Sequence, residues 1–190
     1  MNPEDVLDFW FGSAGSPERE GDRELWWSVG TAFDEEVRRR FLGLHEAAAA
    51  GGLGGWRGSP EGALALVLAL DQFPRNMFRG TPRAYATDAR ALAAAEAALA
   101  RGFDRALPFT MAKFFYLPLM HCEEVELQRR CVALFEPHRD APAGEKSLES
   151  ARRHLEIVER FGRFPHRNAV LGRSSTAEEV DFLTEPNSSF

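Results

Sequence analysis

From Ala63 to Leu70 every residue is apolar. A helix that is apolar all round has no face to show to water, so this stretch marks the central, most buried helix. Ser59-Pro60-Glu61 precedes it with an N-cap residue, a first-turn proline and a first-turn acid. Nearly every other segment carries helical spacing, and no stretch shows a sustained alternation of β-branched and polar residues. The expected fold is therefore all-α. Residues 1–185 read as a single domain, because 190 residues bury one substantial core but not two comfortable ones. Residues 186–190 read as a fraying tail.

The remaining helices follow from their caps and apolar faces. Asn2 and Pro3 open a short helix through Val6, Leu7, Trp10 and Phe11, closed by Gly12. Gly12 to Gly21 reads as a loop, and Leu25-Trp26-Trp27 as an aromatic anchor. Thr31 and Asp34 have the spacing of a capping box ahead of Phe33, Val37, Phe41 and Leu44. The glycines of Gly51 to Gly58 argue against regular structure there. Thr87 or Asp88 caps an alanine-rich helix to about Ala100, and Pro108 opens another that is interrupted at Pro118. Met120 to Phe135 and Ser147 to Phe161 are amphipathic, and Thr176 with Glu179 caps a last short helix. Short connections make such helices antiparallel neighbours.

Two copies of one motif stand out. Phe73-Pro74-Arg75-Asn76 and Phe164-Pro165-His166-Arg167-Asn168 each place a proline, a basic group and an amide after a helical segment. Proline lacks the backbone donor a helix needs, so each motif is expected to stop its helix and present Arg75, Asn76, His166, Arg167 and Asn168 beyond the end. Between the motifs lie polar residues where apolar ones are expected. A helical wheel from Met120 to Phe135 puts Glu124 inward, with His121 and Gln128 on its border, and His154 falls on the stripe of Ala151, Leu155, Val158 and Phe161. Asp71 is a third inward group. An unpaired buried carboxylate costs several kcal/mol or stays protonated, so these groups need partners. They either pair within the core or converge on one cleft. Arg160, Arg163, His166, Arg167 and Arg173 form a stretch without an acid, and Arg75, Arg79 and Arg83 flank the first motif. Such clusters suit carboxylate or phosphate, unless they cap helix ends and meet Glu178, Glu179 or Asp88.

The net charge of −6 opposes a general nucleic-acid coat. No apolar run reaches membrane-spanning length, and the acidic Met1-Asn2-Pro3-Glu4-Asp5 is unlike a secretory signal, so a cytoplasmic location is expected. Cys122 and Cys131, nine apart on what reads as one helix, point to opposite sides and form no bridge. No spacing among His121, His154 and His166 favours zinc, no Glu-then-His pair recurs as di-iron sites need, and no nucleophile elbow or phosphate loop is present. No metal or cofactor is expected. The 21 arginines against 2 lysines read as the mark of a GC-rich bacterial genome.

In order along the chain, Val6-Leu7-Asp8-Phe9-Trp10-Phe11, Leu70 to Gly80, Ala84-Tyr85-Ala86-Thr87-Asp88, Pro118 to Glu124, and His154 through Asn168 together resemble the bacterial family known as domain of unknown function 924. The resemblance implies an all-helical fold grouped with the tetratricopeptide-like α-α superhelices and implies no established activity. No 34-residue repeat is present in the sequence itself.

The expected function is a helical protein whose polar pocket binds a small anionic molecule or an acidic peptide end through Asp71, Arg75, Asn76, Asp88, Arg160, Arg163, His166, Arg167 and Asn168. A rival is a cofactor-independent hydrolase or lyase with His121 or His154 as general base and Glu124 orienting it. A third is a protein-interaction scaffold, which requires an exposed apolar groove and no buried charge cluster.

Overall fold

The computed structural model describes residues 1–27 and 32–189. Thr31, and with it the capping box expected at Thr31 and Asp34, lies outside the described residues. Among them there is no strand, and nine α-helices follow in order. These are α1 (Pro3–Phe11), α2 (Ala32–Ala49), α3 (Pro60–Met77), α4 (Asp88–Ala100), α5 (Phe109–Ala112), α6 (Leu117–Met120), α7 (Val125–Phe135), α8 (Gly144–Phe161) and α9 (Ala177–Phe182). No helix is long and apolar enough to cross a membrane.

Three helix pairs are antiparallel, as the bonds between them show. Asn76 donates to Asp34 and His45 Nδ1 lies 2.9 Å from Ala69 O, so α2 runs against α3. Thr87 reaches Leu70 and Arg101 reaches Arg57, so α4 returns along α3. Arg129 meets Glu159 and Arg152 meets Glu136, which sets α7 against α8. The expected all-α array is present. The central position of α3 is present too, for Gly62 through Pro74 are all buried. Around it Trp10, Phe11, Phe41, Phe73 and Phe114 pack ring against ring. Ile157, Val158, Phe164 and Phe182 form a smaller cluster near the C-terminus.

Local chemistry explains the starts. Asn2 Oδ1 accepts from Asp5 N while Asp5 accepts from Asn2 N. Ser59 Oγ accepts from Gly62 N, and Thr176 with Glu179 forms the expected reciprocal box. Gly62 is obligatory for a second reason: a Cβ there would sit 2.3 Å from Trp56 O.

Five expectations need correction. Pro74 does not end α3, which continues to Met77. Its missing N–H leaves Leu70 O without a helical donor, and the Thr87 hydroxyl supplies one at 2.6 Å. For the same reason Thr87 makes no cap, and Asp88 is occupied by Arg75. Thr87→Val is expected to lose about 1–3 kcal/mol in urea unfolding by leaving that carbonyl unsatisfied; a loss below about 0.5 kcal/mol would count against this account. Next, Met120 to Phe135 is not one helix: residues 121–124 form a turn, and α7 starts at Val125. Cys122 therefore lies before α7 and Cys131 within it, both as free thiols. The interruption expected at Pro118 falls instead on the 3₁₀ turn Lys113–Phe115, and Pro118 sits in the first turn of α6 where no N–H is needed. Finally, Gly54–Gly58 forms a regular 3₁₀ turn rather than an unstructured loop.

Candidate functional site

The last turns of α3 carry Asp71, Gln72, Arg75 and Asn76 on successive faces, and Asp71 is completely buried. Its Oδ1 accepts from His121 Nδ1 at 2.8 Å and stands 3.1 Å from Arg75 Nη1, while Oδ2 accepts from Gln72 Nε2 at 2.6 Å. Burial alone would raise its pKa. The Arg75 guanidinium, His121 and the Gln72 amide outweigh that and hold the carboxyl well below the usual range. Arg75 in turn forks onto Asp88 at 2.9 and 3.0 Å.

This network fixes His121. An ionised Asp71 assigns the ring proton to Nδ1 and leaves Nε2 with its lone pair. Burial and then the Arg75 charge lower the His121 pKa, so the ring is neutral at pH 7. Burial does the same to His154, down to about 3, and to His166, down to about 4. His154 Nδ1 bonds Ser150 O at 2.8 Å, and its ring centre lies 6.5 Å from that of His121.

Arg167, from the second motif, is 7% exposed. Its Nη1 donates to His121 O at 2.9 Å and stands 3.6 Å from Asp88 Oδ2. The guanidinium lies 4.8 Å from the Tyr85 ring centre and 4.5 Å from that of Phe164, while Nε is buried without a hydrogen-bond partner.

These groups border a cavity of about 430 Å³, within the roughly 300–1,000 Å³ range of small-molecule sites. Arg75 and Asn76 from the first motif line it, as do His166 and Arg167 from the second, together with His121 and His154. Asp71 and Asp88 stand behind the arginines. The other sequence candidates lie elsewhere. Glu124 is exposed, because the turn at 121–124 breaks the helical phase from which its inward position was read. Gln128 is the buried polar side chain of that helix, donating to Met120 O and Cys122 O. Glu123 is engaged by Arg173 at 2.6 Å and by Phe164 N at 2.8 Å. Arg160 pairs with Glu178 at 2.9 Å, Arg163 with Glu179 at 2.6 Å, and Asn168 bonds Ser175 and Glu179. These three tie α9 to the end of α8 and do not line the cavity.

Among the cavity residues that escaped the sequence reading are Lys113, Lys146 and Tyr85. Lys113, 2% exposed, donates to Asp22 at 2.6 Å and sits over the rings of Trp26 and Trp27. Lys146 on the first turn of α8 faces the same space, as does Tyr85. One signal was available. Lys113 and Lys146 are the only lysines in the chain, and both line this cavity. Among the described residues no group of three or more His, Cys, Asp or Glu could hold a metal ion.

Residues 6–187 match the family described as bacterial protein of unknown function (DUF924). The chain belongs to the DUF924 family. A similar solved structure is that of the protein of unknown function ATU0120 from Agrobacterium tumefaciens, 44% identical, covering 97% of both chains with a TM-score of 0.85. No curated protein matches. The two proline motifs that frame the cavity both fall within the span matched to DUF924.

Proposed function

We propose that this cavity binds a small anionic molecule, a carboxylate or phosphate. The observation that carries the proposal is Arg167: a nearly buried guanidinium with an unsatisfied Nε, holding Asp88 only at 3.6 Å because Arg75 already takes both oxygens of that carboxylate. A desolvated cation without a full partner is costly, and a ligand anion supplies the missing charge and acceptor. The remaining cavity wall favours the same sign. Arg79 and the two lysines line it, and among the described residues Asp22 is the sole carboxylate residue that does so. The buried charge cluster also favours a ligand site over an interaction scaffold. A thermal-shift and calorimetric survey of acetate, succinate, citrate, phosphate and pyrophosphate is expected to find stabilising anions. Arg167→Gln should weaken the best of them at least tenfold, about 1.4 kcal/mol. Binding by no anion, or equal binding by that variant, would overturn the proposal.

A second reading, cofactor-independent acid–base catalysis, is supported by one specific arrangement. Asp71 holds His121 as the carboxylate of a catalytic dyad does, leaving neutral Nε2 as a general base beside the anion-holding arginines. Asp71 thus takes the orienting part that the sequence assigned to Glu124.

A further inference from the structure

Two segments of the cavity wall have the same layout. From Lys113 the wall continues through Leu117 and Met120 to His121, and from Lys146 through Ser147 and Ser150 to His154. Each begins with a lysine and ends, eight positions later, with a histidine. The histidine ends meet, with rings 6.5 Å apart. The lysine ends border the same cavity. The cavity is therefore a trough between two aligned segments, and α8 measures its length: eight helical residues rise about 12 Å.

The ends of this trough are chemically alike in charge and unlike in partners. At the histidine end stand Arg75 and Arg167, sharing Asp88. At the other stand Lys113 and Lys146, with Asp22 beside Lys113. Between them the wall contributes Leu117 and Met120 from one segment, and Ser147 and Ser150 from the other, whose hydroxyls donate to Ala143 O and Met120 Sδ.

Resting on the reading that the cavity takes an anion, we infer that its ligand is an elongated dianion, with one carboxylate or phosphate at the Arg75–Arg167 end, the other at the Lys113–Lys146 end, and an apolar spacer between. Allowing for side chains reaching inward from the ~12 Å ruler, the two anionic centres stand roughly 8–10 Å apart. A monoanion satisfies only one end. A short dianion cannot span both.

The test is calorimetric titration of the full chain with the α,ω-dicarboxylates from succinate to sebacate, each beside its monocarboxylate of equal carbon number, with the terminal bisphosphates of the same spacers as a second arm. Affinity is expected to peak at an intermediate length, with the best dianion at least tenfold tighter than its matched monoanion. Which arm binds tighter identifies the head group. Lys146 is exposed at the helix start, so Lys146→Gln is a variant expected to fold, and it should erase the advantage of the dianion. Monoanions binding as tightly as dianions, no dependence on length, or a dianion advantage surviving Lys146→Gln would each overturn the inference while leaving an anion pocket standing. Absence of binding by every anion in the series would overturn both.

Discussion

Asp71→Ala is expected to destabilise the protein by about 3–4 kcal/mol, read as a lowered urea midpoint with an unchanged slope. The size follows from what the carboxylate leaves behind. Removing one member of a buried ion pair costs about 3–5 kcal/mol, because the surviving charge stays desolvated without its partner. Here the survivor is Arg75, which keeps its fork onto Asp88, so the lower part of that range applies. His121 loses the acceptor of its Nδ1 proton and Gln72 the acceptor of its amide. At about 2–4 °C per kcal/mol for a chain of this size, the melting temperature should fall by roughly 10 °C. Arg75→Met added to Asp71→Ala should recover part of the loss, since the orphaned charge is the main cost. A single variant within about 1 kcal/mol of the parent would show that Asp71 is not the centre of this network.

The same residue shows where sequence reasoning reaches and where it stops. The centrality of α3 and the caps at Asn2, Ser59 and Thr176 were legible, because a run of apolar residues and a side chain three positions from its partner are local facts. Asp71 was legible as an inward carboxylate because it continues the apolar run. Its partners were only half legible: Arg75 is one turn away, but His121 arrives from 50 positions down the chain. Glu124 failed for a different reason. A helical wheel assumes unbroken phase, and the turn at 121–124 resets it, turning Glu124 outward and burying Gln128. Pro74 failed because the hydroxyl that lets the helix pass through it belongs to Thr87, on the next helix. Arg160 and Arg163 left two readings open in the sequence, an anion cluster or partners of Glu178 and Glu179, and the second holds because the helix carrying those acids folds back. Lys113 was invisible as a site residue, since Asp22 and the tryptophans that hold it are brought in from the other end of the chain.

The three histidines of the cavity wall make the fold lose stability in mild acid. Each has a folded pKa depressed by burial, His154 to about 3 and His166 to about 4, against an unfolded value near 6.5. Between those limits the unfolded chain binds more protons than the native one, so stability rises with pH and falls on acidification. His121, lowered in the same direction, adds to the slope. Asp71 does not act in this window: its depressed pKa contributes stability that is complete above about pH 4 and is lost only below it. From pH 7 to pH 5 each of these two histidines therefore contributes up to about 2 kcal/mol, and His154 with His166 together should lower the unfolding free energy by about 2–4 kcal/mol. Urea unfolding at pH 5, 6 and 7 measures this directly, and His154→Gln, which titrates nowhere in the range, should remove close to half of the slope. A flat profile would mean that the histidines take up protons as readily in the native state as in the unfolded chain. A charged ring within the trough would then add to the arginines as a cation, and anion affinity would strengthen towards pH 5 as those rings took up protons; with the rings neutral, the arginines and lysines carry the attraction alone and affinity stays level through the same range.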